Sequence, residues 1–159
     1  MIDASLVPKV GTHFACVDLG GLRDLSRFTY VEDGAPFEIK GKIFLKQVLD
    51  LTSAEISFNT LPPRKSYPFY HKHQLNEEIY IFYQGQGEFQ VDDCIFSVVE
   101  GSIVRVDPEG FRCLRNTSTE EDLGWIVLQA RAQSYRDQHT IQDGIGLPQR
   151  VSWVGKERL

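Results

Sequence analysis

PFYHKHQLNEEIYIFYQGQG, residues 68–87, is the stretch whose reading decides the fold. It carries His71, His73 and Glu78 ahead of the paired glycines Gly85 and Gly87. Imidazole nitrogen and carboxylate oxygen are donors that mid-row divalent metals prefer, and two histidines spaced by two on a strand project to one face. Positions 73 and 78 would lie on opposite faces of one strand, so the register must break between them. A loop over residues 74–77 supplies that break. Glu78 then starts a new strand whose inward positions include Tyr80 and Phe82, an aromatic wall for a pocket.

Working outward, short β-type runs recur between turn signals, and no segment keeps a helical apolar period for three turns. Strands are expected over residues 13–18, 28–32, 42–49, 54–61, 66–71, 78–83, 87–91, 94–98, 102–106, 111–116 and 123–129. Between them lie Gly20-Gly21, Asp33-Gly34, Pro62-Pro63, Gln84-Gly85, Asp92-Asp93, Glu100-Gly101 and Pro108-Glu109-Gly110, each with turn chemistry. Strands spaced this regularly predict an all-β sandwich or barrel. Three regions are expected: an N-terminal arm with added strands over 1–41, a barrel over 42–130, and a C-terminal extension over 131–159. The extension is expected to begin as a short helix near 130–139. Trp153, in VSWVG, suits a contact with a second subunit, or equally a strand packed on its own barrel.

The bulk numbers narrow the function classes. At 159 residues with 42% hydrophobic and 25% charged side chains, the chain has the size and composition of one globular domain. A net charge of −5 argues against nucleic acid as a partner, because phosphate binding draws on clustered Lys and Arg. No window approaches the ~18 consecutive apolar residues of a membrane span, and the N-terminus lacks a signal-peptide pattern. The cysteines Cys16, Cys94 and Cys113 are odd in number and form no CxxC pair, which fits a reducing, cytoplasmic setting. Cys16 and Cys94 are expected as small buried hydrophobes. His13 and His139 lie outside the motif and are expected at the surface.

The motif residues resemble a cupin, a small double-stranded β-helix or jelly-roll barrel of the conserved-barrel type. The family's first motif is His-x-His, three or four residues, Glu, six residues and Gly. His71, His73, Glu78 and Gly85 follow it, and the count selects Glu78 over Glu77, from which the same gap would land on Gln84. The second motif is Gly, five residues, Pro-x-Gly, two residues, His, and then Asn. Gly101, Pro108, Gly110, Cys113 and Asn116 follow its outline, with Cys113 where the family has His. The Gly-to-Pro gap is one residue longer than usual, Asn116 comes one residue early, and Lys65 stands where a glycine usually precedes the first His. The resemblance covers residues 42–130.

That resemblance implies a divalent metal, Fe, Mn, Ni or Zn, held by His71, His73 and Glu78. Two His and one carboxylate form the open-sided set of Fe(II) oxygenases, whereas Cys113 as a fourth, thiolate ligand would close the sphere in the manner Zn²⁺ favours. On a strand Cys113 shares its face with Phe111 and Arg115, so an inward Cys113 predicts an inward Arg115. Arg115 is then a candidate clamp for a carboxylate or phosphate, with Tyr80 and Phe82 as further ligand-binding positions. The implied function is a metal-binding cupin with a small polar or anionic organic ligand. It would be a homodimer acting as an Fe(II) dioxygenase or a metal-dependent isomerase or lyase. The alternative is a non-catalytic ligand-binding or sensory barrel.

Overall fold

The computed structural model describes residues 6–32, 34, 38–135 and 143–156. Twelve strands account for most of the regular structure: β1 (Lys9–Gly11), β2 (Phe14–Cys16), β3 (Thr29–Val31), β4 (Glu38–Lys40), β5 (Lys42–Phe44), β6 (Glu55–Leu61), β7 (Asn76–Gln84), β8 (Gln86–Val91), β9 (Cys94–Val99), β10 (Ile103–Val106), β11 (Arg112–Asn116) and β12 (Leu123–Arg131). A 3₁₀ helix spans Leu22–Arg27, and a four-residue helix α1 spans Lys46–Leu49.

Two antiparallel sheets face one another, in order β10-β7-β12-β6-β5 and β11-β8-β9. Tyr80 and Phe82 of β7 and Val127 of β12 meet Phe89 of β8, Val98 of β9 and Leu114 of β11 in one buried cluster. The strands alternate as a half-buried sheet requires: along β7, Glu78, Tyr80, Phe82 and Gln84 are buried while their neighbours are less so. The fold is all-β and of the jelly-roll kind. On the back of the larger sheet, Leu19, Leu25 and Phe28 from the N-terminal segment pack with Ile43, Leu45 and Val48 against Ile56 and Phe58.

Glycine makes the β7–β8 turn possible. Gly85 has φ +76°, and a Cβ there would lie 2.4 Å from the Asp122 carbonyl oxygen, so only glycine fits the conformation and the space. Gly87 is tied in the same way, its Cβ position 2.4 Å from the Arg115 carbonyl.

Several sequence expectations are corrected. The run 42–49 is not one strand. β5 stops at Phe44 because Oε1 of Glu55 accepts hydrogen bonds from the backbone N–H of Leu45 (3.1 Å) and Lys46 (2.8 Å), which turns the chain into α1. Residues 66–71 do not make a continuous strand. Pro68 lacks a donor, and the segment's backbone pairs with β11 through isolated bridges at Ser66↔Arg115 and His71↔Arg112. The helix expected near 130–139 is replaced at its start by β12, which continues to Arg131 and turns when Ala132 N–H donates to Leu75 O at 3.0 Å. Its remainder, with His139, falls outside the described residues from 136 to 142. Cys16 and Cys94 are exposed rather than buried. His13 is exposed. Trp153 is 85% exposed, so it does not pack on its own barrel.

Candidate metal centre

The site is built where the 66–73 segment, β7 and β11 converge. His71 N–H donates to Arg112 O (3.3 Å) and Arg112 N–H donates back to His71 O (3.1 Å), which pins His71 opposite β11. His73 N–H donates to Pro108 O at 3.2 Å. The chain then breaks register, as the loop requires, and β7 begins at Asn76 and turns Glu78 inward. His73 Nε2 lies 3.0 Å from Glu78 Oε1, and His71 Nε2 lies 3.8 Å from Glu78 Oε2. Donor atoms of the three residues all lie within 4.8 Å of one another. Two imidazoles and a carboxylate at these separations fit a mid-row divalent ion.

Glu78 is held in its charged form. Burial pushes its carboxyl up, but His71, Tyr80 and Arg112 outweigh that and keep it well below the usual carboxylate range. Tyr80 Oη donates to Glu78 Oε2 at 2.5 Å. Burial, reinforced by the Glu78 charge, pushes the Tyr80 phenol far up, so the proton stays on tyrosine.

Arg112 is the residue that sequence reasoning missed. Its side chain is 1% exposed, and its Nε and Nη2 donate to Glu78 Oε2 at 3.0 and 2.6 Å. On β11 the buried positions are Arg112, Leu114 and Asn116, so the inward register is the reverse of the one expected from Cys113. A signal existed: because Asn116 comes one residue early, counting back from it lands on Arg112. Counted from Asn116, Arg112 falls at the histidine of the second motif; counted from Gly110, Cys113 does.

The other expected residues fall as follows. Cys113 borders the cavity, but its thiol donates to Tyr67 O at 3.3 Å and it is not in the three-residue donor group. Arg115 is corrected from clamp to surface residue. It is 60% exposed and pairs across strands with Glu88, Nε donating to Oε2 at 2.6 Å, on the outer face of β11 and β8. Phe82 lies deeper than the pocket, in the core near Phe89 and Trp125, with ring centroids 6.3 Å from each. Tyr80 does line the pocket.

The cavity holds about 280 Å³ and is walled mainly by apolar side chains, among them Phe44, Tyr67, Phe69, Trp125 and Val127. Burial, with Cys113 nearby, pushes the Tyr67 phenol up to about 12. Polar atoms also enter from residues that the motifs did not flag, among them Gln129, Asn59 and Lys42. Gln129, on the inward face of β12 and in register with Glu78, places Nε2 3.3 Å from the His73 ring nitrogens. Asn59 and Lys42 form a cross-strand pair between β6 and β5, Lys42 Nζ donating to Asn59 Oδ1 at 2.7 Å.

Fold and site together define a jelly-roll protein with a His-x-His…Glu cluster on the wall of its cavity, His71 exposed and Glu78 buried. The chain belongs to the cupin superfamily. Among solved structures it resembles a cupin protein from Bacteroides fragilis at 32% identity and TM-score 0.62, covering 67% of this chain and 88% of that one. A cupin 2 conserved barrel domain protein from Salinispora arenicola aligns at 22% identity and TM-score 0.46, over 51% of this chain and 66% of that one. A putative sugar phosphate isomerase from Acidithiobacillus ferrooxidans aligns at 20% identity and TM-score 0.51, over 58% and 59%, a likeness of fold alone. No family model and no curated protein matches the chain.

Proposed function

We propose that this cupin binds a divalent metal through His71, His73 and Glu78 and receives a small, anionic organic ligand in the adjoining cavity. The observation that carries the reading is the grouping of three donors of the right chemistry within 4.8 Å, on the wall of a pocket lined by aromatic and aliphatic side chains together with a few polar and charged ones. Such an ion supplies Lewis acidity, or an oxygen-binding platform if it is iron. The protein's own part is to keep Glu78 ionised through Arg112 and Tyr80, to orient His73 through Gln129, and to exclude water with the aromatic wall. In this reading Cys113 is not a ligand, because its thiol is committed to the Tyr67 carbonyl. A homodimer in the cytoplasm remains part of the proposal.

Metal analysis tests it. Protein purified without chelator and dialysed against Fe²⁺, Mn²⁺, Ni²⁺ or Zn²⁺ is expected to retain one equivalent of at least one of them, and His71→Ala or Glu78→Gln to abolish retention. Absence of retention for all four overturns the reading.

The Arg112–Glu78 pair favours a second reading, a non-catalytic ligand-binding barrel without metal, since the guanidinium supplies the positive charge that an ion would otherwise bring to Glu78. Metal-independent binding of small acids, with no retained ion, would select this reading.

A further inference from the structure

The charges on the cavity wall point to one residue that neither motif includes. Two cationic side chains, Lys42 and Arg112, and two carboxylates, Glu55 and Glu78, line the cavity, so the wall is neutral on formal count. Three of these four are committed. Arg112 and Glu78 are paired with one another. Glu55 Oε1 accepts hydrogen bonds from the backbone N–H of Leu45, Lys46 and Ile56. Lys42 differs: among the described residues its ammonium donates one hydrogen bond, to Asn59, and lies 4.5 Å from the centroid of the Phe44 ring, without an ion pair. An ammonium has three donors. A cation held against apolar surface with spare donors is costly unless an anion completes it.

Position strengthens the argument. Lys42, Phe44, Glu55 and Gln129 line both the inner cavity and a larger open groove of about 710 Å³, so Lys42 stands where the two spaces adjoin. Burial lowers its ammonium to about 8 against the opposing attraction of Glu78 and Glu55, which leaves it cationic at neutral pH. A divalent ion at His71, His73 and Glu78 would raise the formal charge of the cavity by two, and the ligand has to offset it.

We propose that Lys42 is the anion-binding residue of this cavity, and that the ligand is a small organic acid bearing a chelating oxygen group at one end and a carboxylate at the other. The chelating end faces His71, His73 and Glu78, and the carboxylate meets the Lys42 ammonium at the junction with the groove. The proposal rests on the metal-binding reading above. It assigns to Lys42 the role that sequence reasoning had given to Arg115, whose side chain lies on the outer face.

Succinic and glutaric monohydroxamic acids, which chelate metal at one end and carry a carboxylate at the other, are titrated calorimetrically into Mn²⁺- and Zn²⁺-loaded full-length protein. Their terminal amides serve as uncharged controls. The wild type is expected to bind at least one acid about tenfold more tightly than its amide, the effect of one charge-assisted hydrogen bond. Lys42→Gln and Lys42→Met are expected to bring that ratio to within about twofold, the amide losing less affinity than the acid, and Lys42→Arg to keep a preference for the acid. An acid-to-amide ratio near one for both pairs in the wild type overturns the proposal without recourse to a variant. So does a preference that survives in Lys42→Gln. The same titrations on metal-free protein separate the two readings: failure to retain either ion overturns the metal-binding reading and the proposal with it, whereas retained metal with no preference for the acid, or with acid binding unchanged by the metal, overturns the proposal alone.

Discussion

Arg112 donates two hydrogen bonds to the same carboxylate oxygen of Glu78, at 2.6 and 3.0 Å, and both residues are buried. This pair links β11 of the smaller sheet to β7 of the larger one beside the two histidines. Its consequences differ from those of a ligand. Arg112 keeps Glu78 ionised and oriented but puts a fixed positive charge beside any ion the site takes up.

Breaking the pair from one side leaves an uncompensated buried charge. Arg112→Met and Glu78→Leu are each expected to destabilise the fold by about 3–5 kcal/mol, and the double variant by less than the sum. Chemical denaturation of the four proteins, followed by fluorescence of the buried Trp125, measures the coupling. Additive losses would mean that the two side chains act independently.

The inward register of β11 makes a prediction that separates Arg112 from Cys113. Arg112→His is expected to raise metal affinity, because it adds an imidazole on the face that holds Leu114 and Asn116. Cys113→His is expected to leave it nearly unchanged. Competition against a fluorescent chelator reports both, and the reverse ranking would place Cys113 at the centre.

Thiol labelling gives a second test of the same register. Cys16 and Cys94 are exposed and should react at once, whereas Cys113 is partly covered and donates to Tyr67 O. Loading the metal is expected not to change the Cys113 labelling rate, which mass spectrometry of the tryptic peptide follows. Strong protection by metal would put sulfur in contact with the ion.

Arg115 and Glu88 form an exposed cross-strand pair. Arg115→Ala is therefore expected to change stability by no more than about 1 kcal/mol and to leave ligand and metal binding intact. Loss of ligand affinity in Arg115→Ala, measured by calorimetry with the hydroxamate probes, would restore it as a clamp.

Lys42 also sets a pH dependence. Its ammonium is lowered from 10.5 to about 8 in the folded chain, so between these values the unfolded chain carries a proton that the folded one does not. Stability rises with pH wherever the unfolded state binds more protons. Relative to Lys42→Met, the wild type should gain stability as pH increases from about 8 to 10.5 and show a constant difference below that window. Urea melts of both proteins across this range read the difference directly, and a difference that falls with rising pH would contradict the burial of the ammonium.

The amino-acid sequence by itself determined the strand-rich fold and the first half of the site. His71, His73 and Glu78 lie within eight residues of one another, so their spacing marked them as a set, although the segment carrying the two histidines is irregular and not the expected strand. Gly85 and Gly87 were legible as turn residues from their spacing, although the close approaches that demand glycine there, to Asp122 and Arg115, are tertiary. Tertiary structure alone decided the other half. Which residue of β11 faces Glu78 depends on pairing with β8 and on the bridge to His71, and a shift of one residue exchanges Arg112 for Cys113. Lys42, Asn59 and Gln129 reach the cavity from β5, β6 and β12, strands separated in sequence by up to 87 positions and joined only by the order of the sheet. Local spacing carries no information about such neighbours, because side chains on different strands meet through backbone register rather than through distance along the chain.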